Sequence, residues 1–190
     1  MQIQKNEVRN RILYAAKKEF LTKGYKDSSM RQIALTAKTT PGNIYSYFSS
    51  KDELFTKVIS PVLARIQILL NMQFYQKNSV SKSDVTYITN EISDLFLSYK
   101  DEFLILLTAS AGSAFENIKN ELIQVVAKRF ETELPAYVKT GTNDTLLCET
   151  LAVSLIEGLM NIFNKCHNDE DGLSDVLSRF LSIFFHINKK

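Results

Sequence analysis

Glycine and proline are scarce in this chain of 190 residues, six and three respectively, and tryptophan is absent. A many-stranded β fold needs frequent tight turns built from those residues, so that class is excluded. The two cysteines, Cys148 and Cys166, cannot form a disulfide framework. On one helix they would share a face about 27 Å apart, so two reduced thiols are expected rather than a redox switch. The only histidines are His167 and His186, and neither has metal-ligand spacing. Cys166 and His167 beside Asp169, Glu170 and Asp171 read as a polar loop rather than a metal site. There is no Gly-rich phosphate loop, serine elbow or paired-carboxylate signature. No catalysis, metal or cofactor is therefore expected. No run approaches the roughly 18 uninterrupted apolar residues of a membrane span, and no signal peptide precedes the first charged helix. A cytoplasmic protein without membrane contact is the expectation.

What is present is ordinary globular composition, 45% apolar and 23% charged, arranged at helical spacing. The chain reads as all-α. Its net charge of +2 is divided unevenly: residues 1–51 hold ten Lys/Arg against three Asp/Glu, a net of +7, and the remainder carries −5. A basic quarter on an acidic body suits a polyanion held at one end, although a charge run is more often a solvated face.

A first helix is predicted from Asn6 to Lys23, with Val8, Ile12, Ala16 and Phe20 on one stripe and Gly24 as its stop. A second begins after Ser29, which pairs with Gln32 as a capping box, and carries Met30, Ile33, Ala34 and Ala37 inward. Lys38 and Thr39 break it. Thr40 then caps a third helix with Pro41 at its first position and Ile44 and Phe48 facing inward. Ser50 and Glu53 form the next capping box, and Pro61 is expected to kink or break the helix that follows. Two short helices joined by a tight turn, braced by a longer one on each side, make a helix-turn-helix. Further helices are expected near 62–77, 83–99, 101–113, 115–137, 144–166 and 173–187. The total is about nine.

The strings "RILYAAKKEF", "GYKDSSMRQIA" and "TTPGNIYSYFSSKDELF" resemble the tetracycline-repressor (TetR) family over the first quarter of the chain. The last is the most specific, since it sets Tyr45, Tyr47, Phe48 and Lys51 at fixed offsets. One departure lies in the turn. Where the family commonly has Ala-Gly-Val-Ser, this chain has Ala37-Lys38-Thr39-Thr40, so a left-handed residue 38 would be a lysine, at a cost of about 1–2 kcal/mol relative to glycine.

The resemblance implies a helix-turn-helix DNA-binding domain over 1–50 and an orthogonal helical domain for ligand binding and dimerisation over 51–190. It also implies repression of transcription by a homodimer on a palindromic operator. Pro41, Gly42, Asn43, Tyr45 and Ser46 would enter the major groove. Tyr47 and Lys51 would hold the flanking backbone, and Ser29, Met30 and Thr40 are further DNA-binding candidates. The residue chemistry agrees, because tyrosine hydroxyls donate to phosphates and rings pack on thymine methyls. A cation at a helix N-terminus opposes the helix dipole unless a phosphate sits there, which is the argument for Lys51. Only Asn43 can pair bidentately with adenine, so apolar contacts and groove shape should carry much of the specificity. Lys5, Arg9 and Arg11 are either phosphate or minor-groove contacts or solvent-facing charges.

Farther along, Leu147, Leu151, Leu155, Leu159 and Phe163 step by four, and Gly158 permits close helix approach. Leu177, Leu181, Phe184 and Phe185 mark the last helix. These make either an intramolecular core or, as the resemblance implies, a four-helix interface with a second subunit. The aromatics Phe74, Tyr75, Tyr87, Phe96, Tyr99, Phe103, Phe115 and Phe130 form a set that is more often core than pocket. The resemblance implies instead a cavity for a small apolar or aromatic effector, with Ser110, Ser113 and Glu116 as polar groups. A regulator answering to a protein partner, or to no effector, is the alternative.

Overall fold

The computed structural model describes residues 2–71, 82–133, 142–165 and 170–185. Every regular element among them is helical: α1 (Gln2–Asp27), α2 (Met30–Thr36), α3 (Pro41–Tyr45), α4 (Lys51–Asn71), α5 (Lys82–Thr108), α6 (Ile118–Glu133), α7 (Thr142–Lys165) and α8 (Glu170–Phe185). Phe74, Tyr75, Cys166, His167 and His186 lie outside the described residues.

The helical expectation holds, with three differences in how the chain is divided. First, α1 extends past its stop as one further turn, but Gly24 (φ 71, ψ 169) breaks it where the sequence indicated. Second, α4 continues through Pro61 as one helix instead of breaking there. Proline at 61 cannot donate to the Lys57 carbonyl one turn back. The Ser60 hydroxyl donates to that carbonyl instead, at 3.0 Å, and leaves no orphan acceptor. Third, the helices expected over 83–99 and 101–113 are one element, α5, interrupted at Tyr99 (φ −140, ψ 30).

The chain divides into two compact units, one comprising Met1–Arg65 with Tyr99–Ile118, the other Ile66–Ser98 with Lys119–Lys190. The first is built on an aromatic cluster. Phe20 and Tyr25 meet Phe55 edge-on, each with ring centroids 5.0 Å away, and Phe115 lies against Phe55 at 6.2 Å. Ile12, Ile33, Ile44, Phe48, Leu54 and Ile59 fill the space around it and are fully buried. The four-residue spacings read from the sequence are thus the inward faces of α1 to α4.

The second unit contains the stacked pair Phe96–Phe163, 4.3 Å between centroids, joining α5 to α7. Residues Asp144–Lys165 of α7 are long and apolar enough to cross a membrane by composition. Cys148, Ala152, Leu155, Ile156, Leu159, Met160 and Phe163 are buried within the protein, which accounts for that hydropathy as a core face. Where α7 passes α8, Gly158 lets the Phe180 ring lie on the helix backbone.

Candidate nucleic-acid interface

The two short helices are held by side chains placed at their ends. At the start of α2, Ser29 is extended (φ −121, ψ 123) and its hydroxyl accepts from the Gln32 amide at 3.4 Å. The return arm of the expected capping box is not made by Gln32. The Ser29 amide donates to Glu19 Oε1 at 3.2 Å, so a carboxylate from α1 takes that place and ties the two helices together.

The turn after α2 is a Schellman closure. The Lys38 amide donates to the Leu35 carbonyl at 3.1 Å and the Thr39 amide to the Ala34 carbonyl at 2.9 Å. Such a closure needs a left-handed residue, and Lys38 supplies it at φ 52, the only non-glycine with positive φ among the described residues.

Thr40 then caps α3, accepting from the Asn43 amide at 3.1 Å, with Pro41 at the first position. Ile44 and Phe48 anchor α3 in the core, as their spacing indicated. Pro41, Gly42, Asn43 and Ser46 face solvent, as does Tyr45 at 50% exposure, while Tyr47 is half-buried. A Cβ added at Gly42 would meet nothing within 4 Å. Nothing in the fold therefore requires glycine there, and the open side faces outward.

The Asn43 side chain is oriented by its neighbours: Nδ2 donates to Thr39 Oγ1 at 2.7 Å, and Ser46 Oγ, which donates to the Asn43 backbone carbonyl at 2.7 Å, lies 3.4 Å from Oδ1. Ser29 is exposed and Met30 half-buried at the start of α2. The exposed candidates thus gather at the N-terminal ends of α2 and α3 and along the outer side of α3. Of the basic residues on α1, Lys5 and Arg11 are exposed, whereas the Arg9 guanidinium stacks 5.3 Å from the centre of the Phe48 ring.

Lys51 points elsewhere. Its ammonium donates to the carbonyls of Ser28 at 3.0 Å and Lys26 at 3.4 Å, and it lies 4.4 Å from the centre of the Tyr25 ring. Burial pulls its pKa below the usual lysine value, against the opposing influence of Asp52, Asp27 and Glu19. The Tyr25 hydroxyl donates to Asp52 Oδ1 at 2.6 Å. Burial first, and then that carboxylate, push the phenol up to about 12. At the next capping site, Ser50 Oγ accepts from the Glu53 amide at 3.0 Å, as expected. The Glu53 carboxylate reaches Ser49, accepting from both its amide and its hydroxyl at 2.6 Å, and those bonds hold the acid below its ordinary pKa.

Tyr25 also joins the corner after α1 to the end of α5, its amide donating to the Ala109 carbonyl at 2.7 Å. Lys17 of α1 pairs with Glu102 at 3.1 Å and Asp101 at 3.7 Å. The sequence indicated Gly24 as a helix stop and Tyr25 only as part of a matching string. It contained no signal for Asp52 and Ala109 as partners of Tyr25, or for Glu19 as the partner of Ser29, because each pair is ten or more residues apart.

The effector candidates are distributed over both units. Tyr99, Phe103, Ser110 and Phe115 belong to the first, Tyr87, Phe96 and Phe130 to the second. Phe96, Phe103 and Phe130 are buried and Tyr87 is half exposed. Three polar candidates organise the turn after α5: Ser110 Oγ donates to the Phe115 carbonyl, Ser113 Oγ accepts from the Phe115 amide, and Glu116 accepts from the Gly112 amide.

Residues 12–58, which span this helix-turn-helix, match the family model of bacterial regulatory proteins of the tetR family. The HTH-type transcriptional repressor NicS of Pseudomonas putida is 24% identical to this chain, over 95% of it and 83% of NicS. Among solved structures, NalD, the secondary repressor of the MexAB-OprM multidrug efflux pump in Pseudomonas aeruginosa, superposes with a TM-score of 0.61. That likeness covers 95% of this chain and 96% of NalD at 19% identity. AibR, solved with isovaleryl coenzyme A and operator DNA, gives a TM-score of 0.58 over 94% of this chain and 98% of its own, at 15% identity. The relatives are transcriptional regulators and not enzymes. Residues 12–58 are thus a helix-turn-helix of the tetR family of bacterial regulatory proteins, and the chain is similar over most of its length to a DNA-binding regulator of transcription.

Proposed function

We propose that this regulator is a cytoplasmic, homodimeric repressor that an effector releases from a palindromic operator. The observation that carries the DNA part is the outward edge of α3. Pro41, Gly42, Asn43, Tyr45 and Ser46 are exposed on a helix whose other side is locked into the core by Ile44 and Phe48. In the proposed complex these residues enter the major groove, while Ser29, Met30, Thr40 and Tyr47 hold the flanking backbone. We assign DNA binding to residues 1–50 and regulation to 51–190. One short recognition helix reads too few base pairs alone, so a two-fold partner placing a second one about 34–36 Å away completes the site.

Exposed apolar residues on the last two described helices support the homodimer. Leu146 and Val153 on α7, with Val176 and Ile183 on α8, face solvent, Leu146 and Ile183 at more than 60% exposure. For the effector, the Ser93 hydroxyl supports a ligand with a hydrogen-bonding group. Among the described residues it is the one buried side-chain oxygen without a hydrogen-bond partner. No charged side chain among those residues is buried, so a neutral, largely apolar molecule fits best. AibR, crystallised with an acyl thioester and its operator, offers a precedent in the same fold. The stacking of Phe96 on Phe163 favours a second reading, a packed core in a regulator that answers to a protein partner or to no effector.

The test is binding to the DNA flanking its own gene, titrated against salt and followed by the mass of the complex. Dimeric binding that weakens steeply with salt is the expected result. Absence of binding there and in an unbiased genomic selection would refute the regulator reading. Native mass spectrometry of the purified protein then separates a co-purifying small molecule from none.

A further inference from the structure

Lys51 poses an electrostatic problem that the structure resolves without DNA. It lies in the first turn of α4, where the exposed amides of a helix N-terminus repel a cation. A phosphate is one remedy. The other is a different helix end, and the ammonium reaches one. Gly24 interrupts α1, and Lys51 reaches the carbonyl of Lys26 in the last turn beyond it and that of Ser28 just past its end. Free carbonyls at a helix C-terminus attract cations and accept their hydrogen bonds. Lys51 donates to both, at 3.4 and 3.0 Å, over the face of the Tyr25 ring. Its neighbour Asp52 accepts from the hydroxyl of that same tyrosine. Two consecutive residues of α4 therefore grip the corner between α1 and α2 from two directions. Ser28 is buried in that corner, its hydroxyl donating to the Tyr25 carbonyl at 2.7 Å, and the next residue is Ser29, the cap of α2.

We infer that Lys51 serves operator binding as a positioning residue: its ammonium fixes the start of α2, and through the Schellman turn the aim of α3, rather than neutralising a phosphate. A phosphate competing for this ammonium would have to draw it away from two carbonyls and a ring. The α2 cap would then lose the brace beside it. Lys51 thus differs in role from the exposed groups of α3.

The experiment uses the full-length chain and a duplex recovered by wild-type protein from a random-sequence pool. Affinity is measured against salt for wild type, Lys51→Met and Lys51→Gln, at a temperature where circular dichroism shows each fully folded. Positioning predicts that Lys51→Met weakens the selected duplex roughly tenfold, the scale of one charged hydrogen bond. The salt slope stays at the wild-type value, and the preference for the selected duplex over a scrambled one falls. Lys51→Gln, which keeps a donor for the Ser28 carbonyl but no charge, recovers part of the affinity. It also keeps the test open if Lys51→Met does not fold. A phosphate contact predicts a slope shallower by about 0.9 in both variants, with Lys51→Gln no better than Lys51→Met. That slope change, or unchanged affinity in either folded variant, would overturn the inference.

Discussion

Replacing Lys38 with glycine should stabilise the protein, and one backbone angle sets the size of the gain. Lys38 occupies the left-handed position of the turn between α2 and α3 at φ 52. A residue bearing a Cβ is strained there by about 1–2 kcal/mol, which glycine avoids. Glycine returns roughly 0.5–1 kcal/mol of that through the greater freedom of its unfolded chain. The net expectation is a gain of about 0.5–1 kcal/mol, or a rise in Tm of roughly 1–4 °C for a chain of this length. The side chain is exposed, so its removal disturbs no packing. Lys38→Ala is the control, because it deletes the same side chain but keeps the Cβ. Thermal unfolding of the three proteins side by side should place the glycine variant above both others. If Lys38→Gly melts no higher than Lys38→Ala, the strain argument is wrong and the angle is relaxed in solution.

Three further outcomes follow from the same geometry. Gly42→Ala should raise stability by about 0.5–1 kcal/mol, since a Cβ there meets nothing, yet weaken operator binding if DNA lies against that side; a melt paired with a binding titration separates the two effects. Gly158→Ala would place its Cβ within 2.7 Å of Phe180 Cε2, and the overpacking, about 1–3 kcal/mol, should outweigh the helix-propensity gain. Urea unfolding should show net destabilisation that Phe180→Leu in the same chain partly relieves, and a neutral Gly158→Ala would contradict it. The Tyr25 phenol, raised to about 12, keeps its proton in the folded state after the unfolded chain has begun to lose it near pH 10. Its contribution is therefore whole below pH 10 and lost as pH rises toward 12. Tyr25→Phe should flatten that part of the stability profile, and parallel profiles for the two proteins would count against the raised phenol.

What the sequence alone determined is local. Helix caps, stops and inward faces depend on residues one to four positions apart, so Ser29, Thr40 and Pro41 and the Ile44/Phe48 face could be read directly and are found in place, whereas the left-handed angle of Lys38 came only with the structure. The through-running α4 shows the limit of a single-residue rule. Pro61 reads as a break until the hydroxyl of Ser60 beside it is counted as the missing donor. The tertiary structure decided the partnerships between distant residues. Glu19 supplies the carboxyl side of the Ser29 cap that Gln32 was expected to complete. Tyr25 takes Asp52 and Ala109, and the Lys51 ammonium turns to the end of α1. A side-chain charge is visible in sequence, but the carbonyl or ring it finds depends on which helix end folding carries to it. The same holds for the aromatics: a set such as Phe96, Phe103 and Phe115 reads as core more often than pocket, whereas only the packed chain assigns Phe96 to Phe163 and Phe115 to Phe55.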